Sequence, residues 1–122
     1  MSISRHNLSA IIVSYKSDHV IERCINSIDN QIEIIVIDNS NNIEFKKNIE
    51  KKYNNVKCIL SSENIGMGAG NNLGIKSVNN DYAFILNPDV FLENNSIDEI
   101  IAASQDLDSF GIIAPISSKS EY

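Results

Sequence analysis

A carboxylate and an amide flank a proline directly after the hydrophobic segment at residues 82–86, in the order Asn87-Pro88-Asp89. Proline fixes its own φ and biases the preceding residue toward extended geometry, so this turn can direct Asp89 to a defined point. Carboxylate oxygens suit Mg²⁺ or Mn²⁺, which commonly bind one or two carboxylates together with substrate phosphates. Two interpretations are open: Asp89 is a metal ligand, or the segment is an ordinary turn leading to the next helix.

A second carboxylate, Asp38, follows another apolar segment at residues 32–37. Its side chain should project from the edge of a sheet, where it can accept hydrogen bonds from the amide or hydroxyl groups of a ligand. An aspartate in this position can equally cap the next helix or stabilise a turn. The residue taken alone does not decide between these two roles.

Four of the five glycines lie within the nine residues from Gly66 to Gly74. Gly66, Gly68 and Gly70 can adopt positive φ without steric cost, so we expect a loop there whose backbone approaches a ligand closely, with Asn71 and Asn72 opening the next helix. The segment GMGAGNNLG lacks the lysine and hydroxyl residues of a Walker loop and does not match the dinucleotide-binding fingerprint. A glycine-rich segment alone is weak evidence for a phosphate site.

Strands and helices alternate in the predicted secondary structure. We predict strands at 8–14, 32–37, 56–60, 82–86 and 110–114, and helices at 18–30, 43–53, 71–78 and 96–105, with Ser17 or Asp18 capping the first helix and Ser96 the last. This alternation predicts an α/β fold with a mostly parallel sheet and helices on both faces. Parallel strands end at one edge, so the polar residues after the first four strands should converge on one rim, where such sheets bind ligands.

Composition limits the classes of protein to which the chain can belong. Its 122 residues predict a single domain of residues 1–122, with a core at about 8–115 and a loose tail at 117–122. A net charge of -6, without long basic runs, argues against nucleic acid as a partner. Its apolar runs are too short to cross a bilayer and residues 1–7 do not resemble a signal peptide, so we expect a cytoplasmic protein.

Four motifs in register resemble the N-terminal part of family 2 glycosyltransferases with the GT-A fold, particularly the rhamnosyltransferase-like branch. They are AIIVSYKS, IIVIDNSN, ENIGMGAGNNLGI and YAFILNPDV, and the resemblance covers nearly the whole chain. It implies inverting transfer from a UDP- or dTDP-sugar, with dTDP-rhamnose favoured, to a glycan or lipid-linked acceptor. It also implies peripheral association with the inner face of the membrane, whereas the oligomeric state is left open.

The resemblance assigns roles to individual residues. The nucleotide-sugar site would comprise Ser14 or Tyr15 at the first strand end, Asp38 and Asn39 after the second, and Asn64, Gly66, Gly70, Asn71 and Asn87. Asp89 would bind the divalent metal, Mg²⁺ or Mn²⁺, and through it the diphosphate.

The sequence departs from the family pattern at two points. Asn87 replaces the first aspartate of the family's DxD motif, so that one anionic ligand is lost. Family members usually continue for another hundred residues or more, which supply the acceptor site and the general base, so we expect a donor-binding half and assign the base to no residue. The alternative is a non-catalytic, truncated or split nucleotide-binding module that needs a partner chain.

Overall fold

The structure is a computed structural model that describes residues 3–107 and 109–115. The predicted tail at 117–122 lies outside these residues. The elements in chain order are β1 (Leu8–Ser14), α1 (Asp18–Asn26), β2 (Glu33–Asp38), α2 (Ile43–Lys52), β3 (Val56–Leu60), α3 (Gly66–Ser77), β4 (Tyr82–Leu86) and α4 (Ser96–Gln105). Strands and helices alternate, as the sequence predicts.

The four strands form one parallel sheet in the order β3-β2-β1-β4. β1 lies inside the sheet, between β2 and β4, and all seven of its residues are buried. A strand covered on both faces must be apolar on both, which explains why β1 is a continuous apolar run rather than an alternating one.

Helices cover both faces of the sheet. α1, α2 and α4 contribute to the larger core, which includes Ile12 of β1 and Val36 of β2. α3 packs on the opposite face, where Val13, Ile35 and Ile37 are buried. The predicted α/β architecture with helices on both faces is therefore confirmed.

α3 begins at Gly66, five residues before the predicted start at Asn71. The predicted loop is wrong over most of the glycine-rich segment, because only Gly66 has positive φ, at 81°. Helix formation here depends on packing against β1: a Cβ at Gly70 would lie 2.9 Å from Val13 Cγ1. Close approach of helix and strand outweighs the low helix propensity of glycine.

Three further predictions are wrong in detail. Residues 110–114 form no strand: the structure places residues 109–115 outside regular structure, and the Phe110 ring stacks on that of Tyr82 with centroids 5.8 Å apart. Ser96 is the first residue of α4 and not its cap, which is Asn95. α1 ends at Asn26 rather than at residue 30, and its N-cap Ser17 makes no side-chain capping bond.

Within residues 3–107 and 109–115, none of the helices has the length and apolar character required to cross a membrane.

Candidate functional site

The carboxyl ends of the four strands lie along one rim, since all the strands are parallel. Ser14 at the end of β1 pairs with Asp38 at the end of β2, and Asp38 pairs with Leu60 of β3. On the other side of β1, Ile12 pairs with Leu86, so Asn87 follows at the same rim. The predicted convergence of the polar strand ends is therefore confirmed.

Asp38 is buried, with 1% of its surface exposed, and its carboxylate binds the turn that follows it. Oδ1 accepts a hydrogen bond from the Ser40 amide at 3.0 Å, and Oδ2 accepts one from the Asn42 amide at 2.9 Å. Asn42 in turn caps α2, because its Oδ1 accepts a hydrogen bond from the Phe45 amide. Asp38 therefore stabilises a turn, which is one of the two roles that the sequence left open. Each carboxylate oxygen can still accept a further hydrogen bond.

Ser14 carries a polar side chain with unused hydrogen-bonding capacity. The residue is 1% exposed, and its hydroxyl has no hydrogen-bond partner within the part of the chain that the structure describes. Buried hydroxyls are nearly always paired in folded proteins, so an orphaned one requires an explanation. This orphaned hydroxyl lies at the rim on β1, opposite Asp38 of β2.

Tyr15 and Lys16 are exposed at the end of β1. Half of Tyr15 is accessible, and the Lys16 ammonium lies 5.3 Å from the centre of its ring. Lys16 has a φ of 52° and donates its amide to Ser40 Oγ at 2.8 Å. A non-glycine residue at positive φ is uncommon and often occurs at functional sites. The sequence analysis missed Lys16, although a cation directly after a buried strand was a signal for it.

Asn39 follows Asp38 in the turn after β2 and is 3% exposed. Its Nδ2 donates to the carbonyl oxygen of Gly66 at 3.1 Å, and its Oδ1 accepts a hydrogen bond from Ser61 Oγ at 2.6 Å. Asn39 therefore connects β2 with the start of α3. Ser61, which the sequence analysis did not single out, completes this connection after β3.

The start of α3 lies at the same rim. Asn64 Oδ1 accepts a hydrogen bond from the Gly66 amide at 3.0 Å, and the N-cap residue, Ile65, makes no side-chain capping bond. Gly70 is buried against β1, whereas the side-chain oxygen of Asn71 is buried without a hydrogen-bond partner among the described residues. The positive end of the helix dipole thus lies near the strand ends.

The Asn87-Pro88-Asp89 turn follows β4 and is closed by a hydrogen bond from the Val90 amide to the Asn87 carbonyl oxygen, at 3.1 Å. Asp89 is exposed, and no hydrogen bond or ion pair engages its carboxylate within residues 3–107 and 109–115. Beneath the turn, burial and then the charge of Asp89 raise the pKa of the Cys24 thiol to about 11. Cys24 is therefore a neutral thiol at physiological pH.

The residues present are compatible with a divalent cation bound jointly with a ligand. No group of three or more His, Cys, Asp or Glu side chains among the described residues could enclose a metal by itself. Mg²⁺ rarely needs such a cage, because it keeps several waters and binds one or two carboxylates plus substrate phosphates. A single accessible carboxylate at Asp89, beside the Asn87 amide, fits that mode of binding.

Two shallow grooves lie away from the strand ends. One of about 290 Å³ lies between α1 and α2, and another of about 300 Å³ is lined by residues at the beginning of β2 and β3, at the opposite edge of the sheet. Neither includes Ser14, Asp38 or Asp89.

Two solved structures share the fold of this chain. Residues 1–349 of TarS from S. aureus superpose with a TM-score of 0.71 and 18% identity, over 88% of this chain and 38% of that one. The mannosyltransferase PcManGT from Pyrobaculum calidifontis, solved with GDP-Man and Mn²⁺, gives a TM-score of 0.65 and 14% identity, over 83% and 32%. At these identities the likeness establishes the GT-A fold.

Curated relatives carry sequence similarity as well. A hexosyltransferase of low-salt glycan biosynthesis from Haloferax volcanii is 32% identical over 113 residues, which cover 89% of this chain and 36% of the relative. An uncharacterized glycosyltransferase from Haemophilus influenzae is 32% identical over 79 residues, which cover 62% and 32%. The chain thus spans about a third of the length of these relatives.

The model of the family described as glycosyl transferase family 2 matches residues 9–120, nearly the whole chain. The match includes all four strand ends and the segments that follow them. With the shared fold and the two relatives, this match shows that the chain belongs to glycosyl transferase family 2.

Proposed function

We propose that the rim formed by the carboxyl ends of the four strands is the donor site of an inverting glycosyltransferase. It would bind a nucleoside-diphosphate sugar together with Mg²⁺ or Mn²⁺. The observation that carries the proposal is the exposed, unengaged carboxylate of Asp89 at the same rim as the Ser14–Asp38 pair. Membership of family 2 supports sugar-nucleotide chemistry in general.

In this proposal the nucleoside lies at the ends of β1 and β2. The orphaned hydroxyl of Ser14 and the free acceptor positions of Asp38 would bind the base or ribose. Tyr15 offers an exposed ring for stacking. Asn39 would act indirectly, because its side chain is already bonded to Gly66 and Ser61.

The diphosphate lies between α3 and the turn after β4. Backbone amides at the start of a helix and its dipole favour anions, which suits the α3 terminus that Asn64 and Gly66 form. Asn71 would contribute its buried side-chain oxygen near the donor. Gly70 would contribute by letting α3 approach β1, since a side chain there would meet Val13.

Asp89 would hold the divalent cation, with Asn87 beside it. Such a cation, when bound with the diphosphate, neutralises charge that develops on the leaving nucleoside diphosphate. The chain's own part is to present the carboxylate at a fixed point of the rim. Mn²⁺ in the solved mannosyltransferase complex supports a divalent cation for this fold.

The transfer itself would require an acceptor hydroxyl that attacks the anomeric carbon opposite the leaving group and inverts its configuration. We assign the base that deprotonates this hydroxyl to no residue of this chain. The acceptor we propose is a glycan or a lipid-linked glycan at the cytoplasmic face of a membrane. Residues 1–122 would form one donor-binding domain.

UDP- and dTDP-sugars are the proposed donors, with dTDP-rhamnose favoured through the rhamnosyltransferase-like motifs. The solved complex of the mannosyltransferase with GDP-Man makes GDP a third nucleotide to test. The hexosyltransferase from Haloferax volcanii supports transfer of a sugar without fixing which one.

The second candidate function is a nucleotide-binding module without catalysis of its own, which assembles with a partner chain. Exposed apolar side chains favour it: Ile85 of β4 is 48% exposed, Ile75 of α3 is 44% exposed and Ile112 is 91% exposed. Solvent-exposed isoleucines such as Ile85, on the edge strand β4, are typical of surfaces that another polypeptide covers.

Calorimetric titration of UDP, dTDP and GDP into the chain, with and without Mn²⁺, tests the donor site. We expect Mn²⁺ to strengthen nucleotide binding, and Asp89→Ala to abolish this metal-dependent part of the affinity. Asp81→Ala is a matched control, because Asp81 is an exposed carboxylate just before the opposite end of β4. Unchanged binding in Asp89→Ala would rule out the proposed metal ligand, and no binding by the folded wild-type chain would favour the partner-dependent module.

A further inference from the structure

Two hydrogen bonds connect α1 with the segment that contains Asp89, one on each side of that residue. The Cys24 thiol donates to the carbonyl oxygen of Asn87, with 3.6 Å between sulfur and oxygen. The Leu92 amide donates to Ser27 Oγ at 3.0 Å. The helix therefore holds the segment both before and after the carboxylate that the proposed donor site requires.

A third contact lies on the surface, between the two hydrogen bonds. The guanidinium of Arg23 lies over the ring of Phe91, with 4.7 Å between its central carbon and the ring centre. Val90 and Leu92 alternate with Phe91 and pack against the large core. The segment therefore has one apolar side on the core and a cation over its exposed aromatic ring.

Ser27 is bonded in a way that fixes the direction of its hydroxyl. Its Oγ donates its hydrogen to the Cys24 carbonyl oxygen at 2.7 Å, which leaves the oxygen lone pairs for the Leu92 amide. Ser27 is also the C-cap of α1, with helical φ and ψ. The last turn of the helix and the segment after β4 therefore share one hydroxyl group.

We propose that Ser27 is a positioning residue for Asp89, and that the end of α1 holds the turn at residues 87–90 in the geometry that binds metal and diphosphate. The inference rests on the proposed donor site and adds the group that keeps its metal ligand in place. A lone, exposed carboxylate on an unanchored turn would have to be ordered upon binding, which weakens affinity. The anchored turn is ordered before the ligand arrives.

Three variants test this role. Ser27→Ala removes the acceptor of the Leu92 amide, whereas Ser27→Thr keeps a hydroxyl in its place. Arg23→Gln removes the cation over Phe91 at an exposed position, so we expect this variant to fold. Ser77→Ala is the matched control, because Ser77 Oγ also donates to a backbone carbonyl, that of Leu73 at 2.7 Å, on the opposite face of the sheet.

Amide hydrogen exchange in the free protein provides the first readout. Loss of one hydrogen bond should speed exchange of the Leu92 and Val90 amides by about 3- to 10-fold in Ser27→Ala. Arg23→Gln should give a smaller change of the same sign. The amides of β1 should exchange at wild-type rates in every variant. The Leu92 and Val90 amides should also keep their wild-type rates in Ser27→Thr and in the Ser77→Ala control.

Titration of UDP with Mn²⁺ provides the second readout. We expect Kd to rise by about 3- to 10-fold in Ser27→Ala and to recover in Ser27→Thr. Binding of UDP without metal should be the same in all variants, because the nucleoside contacts lie on β1 and β2. If Ser27 only stabilised the fold, Ser27→Ala would not weaken UDP binding with Mn²⁺ while leaving UDP binding without metal unchanged.

Unchanged exchange at Leu92 in Ser27→Ala would overturn the anchoring, and faster exchange with unchanged metal-dependent Kd would overturn the positioning role. The wild-type titration separates this inference from the donor site itself. Absence of binding there would refute the donor site, while the exchange rates would still decide whether α1 anchors the turn.

Discussion

Two aspartates at the rim, Asp38 and Asp89, differ in what their surroundings leave for a ligand. Asp38 is buried and accepts two backbone amides, so much of its binding capacity serves the turn after β2. Asp89 is exposed, and no ion pair engages it in the part of the chain that the structure describes. The same residue type thus stabilises the fold at one strand end and is available for chemistry at another.

Alanine substitution should lower the free energy of unfolding at Asp38 but not at Asp89. Asp38→Ala leaves the amides of Ser40 and Asn42 without acceptors, so we expect the free energy of unfolding to fall by about 1–3 kcal/mol. Asp89→Ala removes no such bond and should change it by less than about 0.5 kcal/mol. Urea denaturation of both variants measures the difference, and equal losses would contradict these roles.

The Cys24 thiol provides a pH-dependent prediction. Burial and the charge of Asp89 raise its pKa from 9.0 to about 11, so the folded state binds this proton more tightly than the unfolded state does. The stability from this difference is complete below pH 9.0 and is lost as pH rises toward about 11. Denaturation across this range should show a steeper loss in the wild type than in Cys24→Ala; parallel profiles would disprove the shift.

At the scale of elements, the largest error of sequence reasoning concerns α3. Gly66, Gly68 and Gly70 predict a loop before a helix at 71–78, yet all three lie in α3. The reason is tertiary: Gly70 and Gly74 let the helix backbone contact Val13 and Ile11 of β1. Propensity describes an isolated segment, and this contact joins residues about sixty positions apart in the sequence.

Two glycine substitutions in α3 should act in opposite directions. A Cβ at Gly74 would lie 2.5 Å from Ile11 Cγ2, so Gly74→Ala should lower the free energy of unfolding by about 1–3 kcal/mol. Gly68 has nothing within 4 Å of such a Cβ, so Gly68→Ala should raise it by up to about 1 kcal/mol. Chemical denaturation measures both; a stabilising Gly74→Ala would contradict the packing.

The missing strand at residues 110–114 has a different cause. An apolar run forms a strand only where another strand pairs with it. Among the described residues no strand pairs with the outer side of β4, so β4 is an edge of the sheet. Phe110 instead packs its ring on Tyr82, while Ile112 is 91% exposed. Hydrophobicity alone could not distinguish a paired strand from an extended segment.

For the whole molecule, the sequence predicts the parallel sheet and the meeting of its strand ends. Continuous apolar runs such as Leu8–Ser14 identify strands buried on both faces, and parallel strands place their carboxyl ends at one edge. What the sequence could not predict is the bonding at that edge. The partners of Asn39, namely Gly66 and Ser61, lie more than twenty residues away and were known only once the chain was folded.

The central claim, a metal-dependent nucleotide site at the strand-end rim, is tested most directly by paramagnetic broadening of amide NMR signals with Mn²⁺ and UDP. We predict that signals of the residues around Asp89, and of Ser14 and Gly66, broaden first. Signals near Asp81, at the other end of β4, should persist, and Asp89→Ala should abolish the effect. Broadening centred on the opposite edge of the sheet, or equal broadening in Asp89→Ala, would contradict the proposed site.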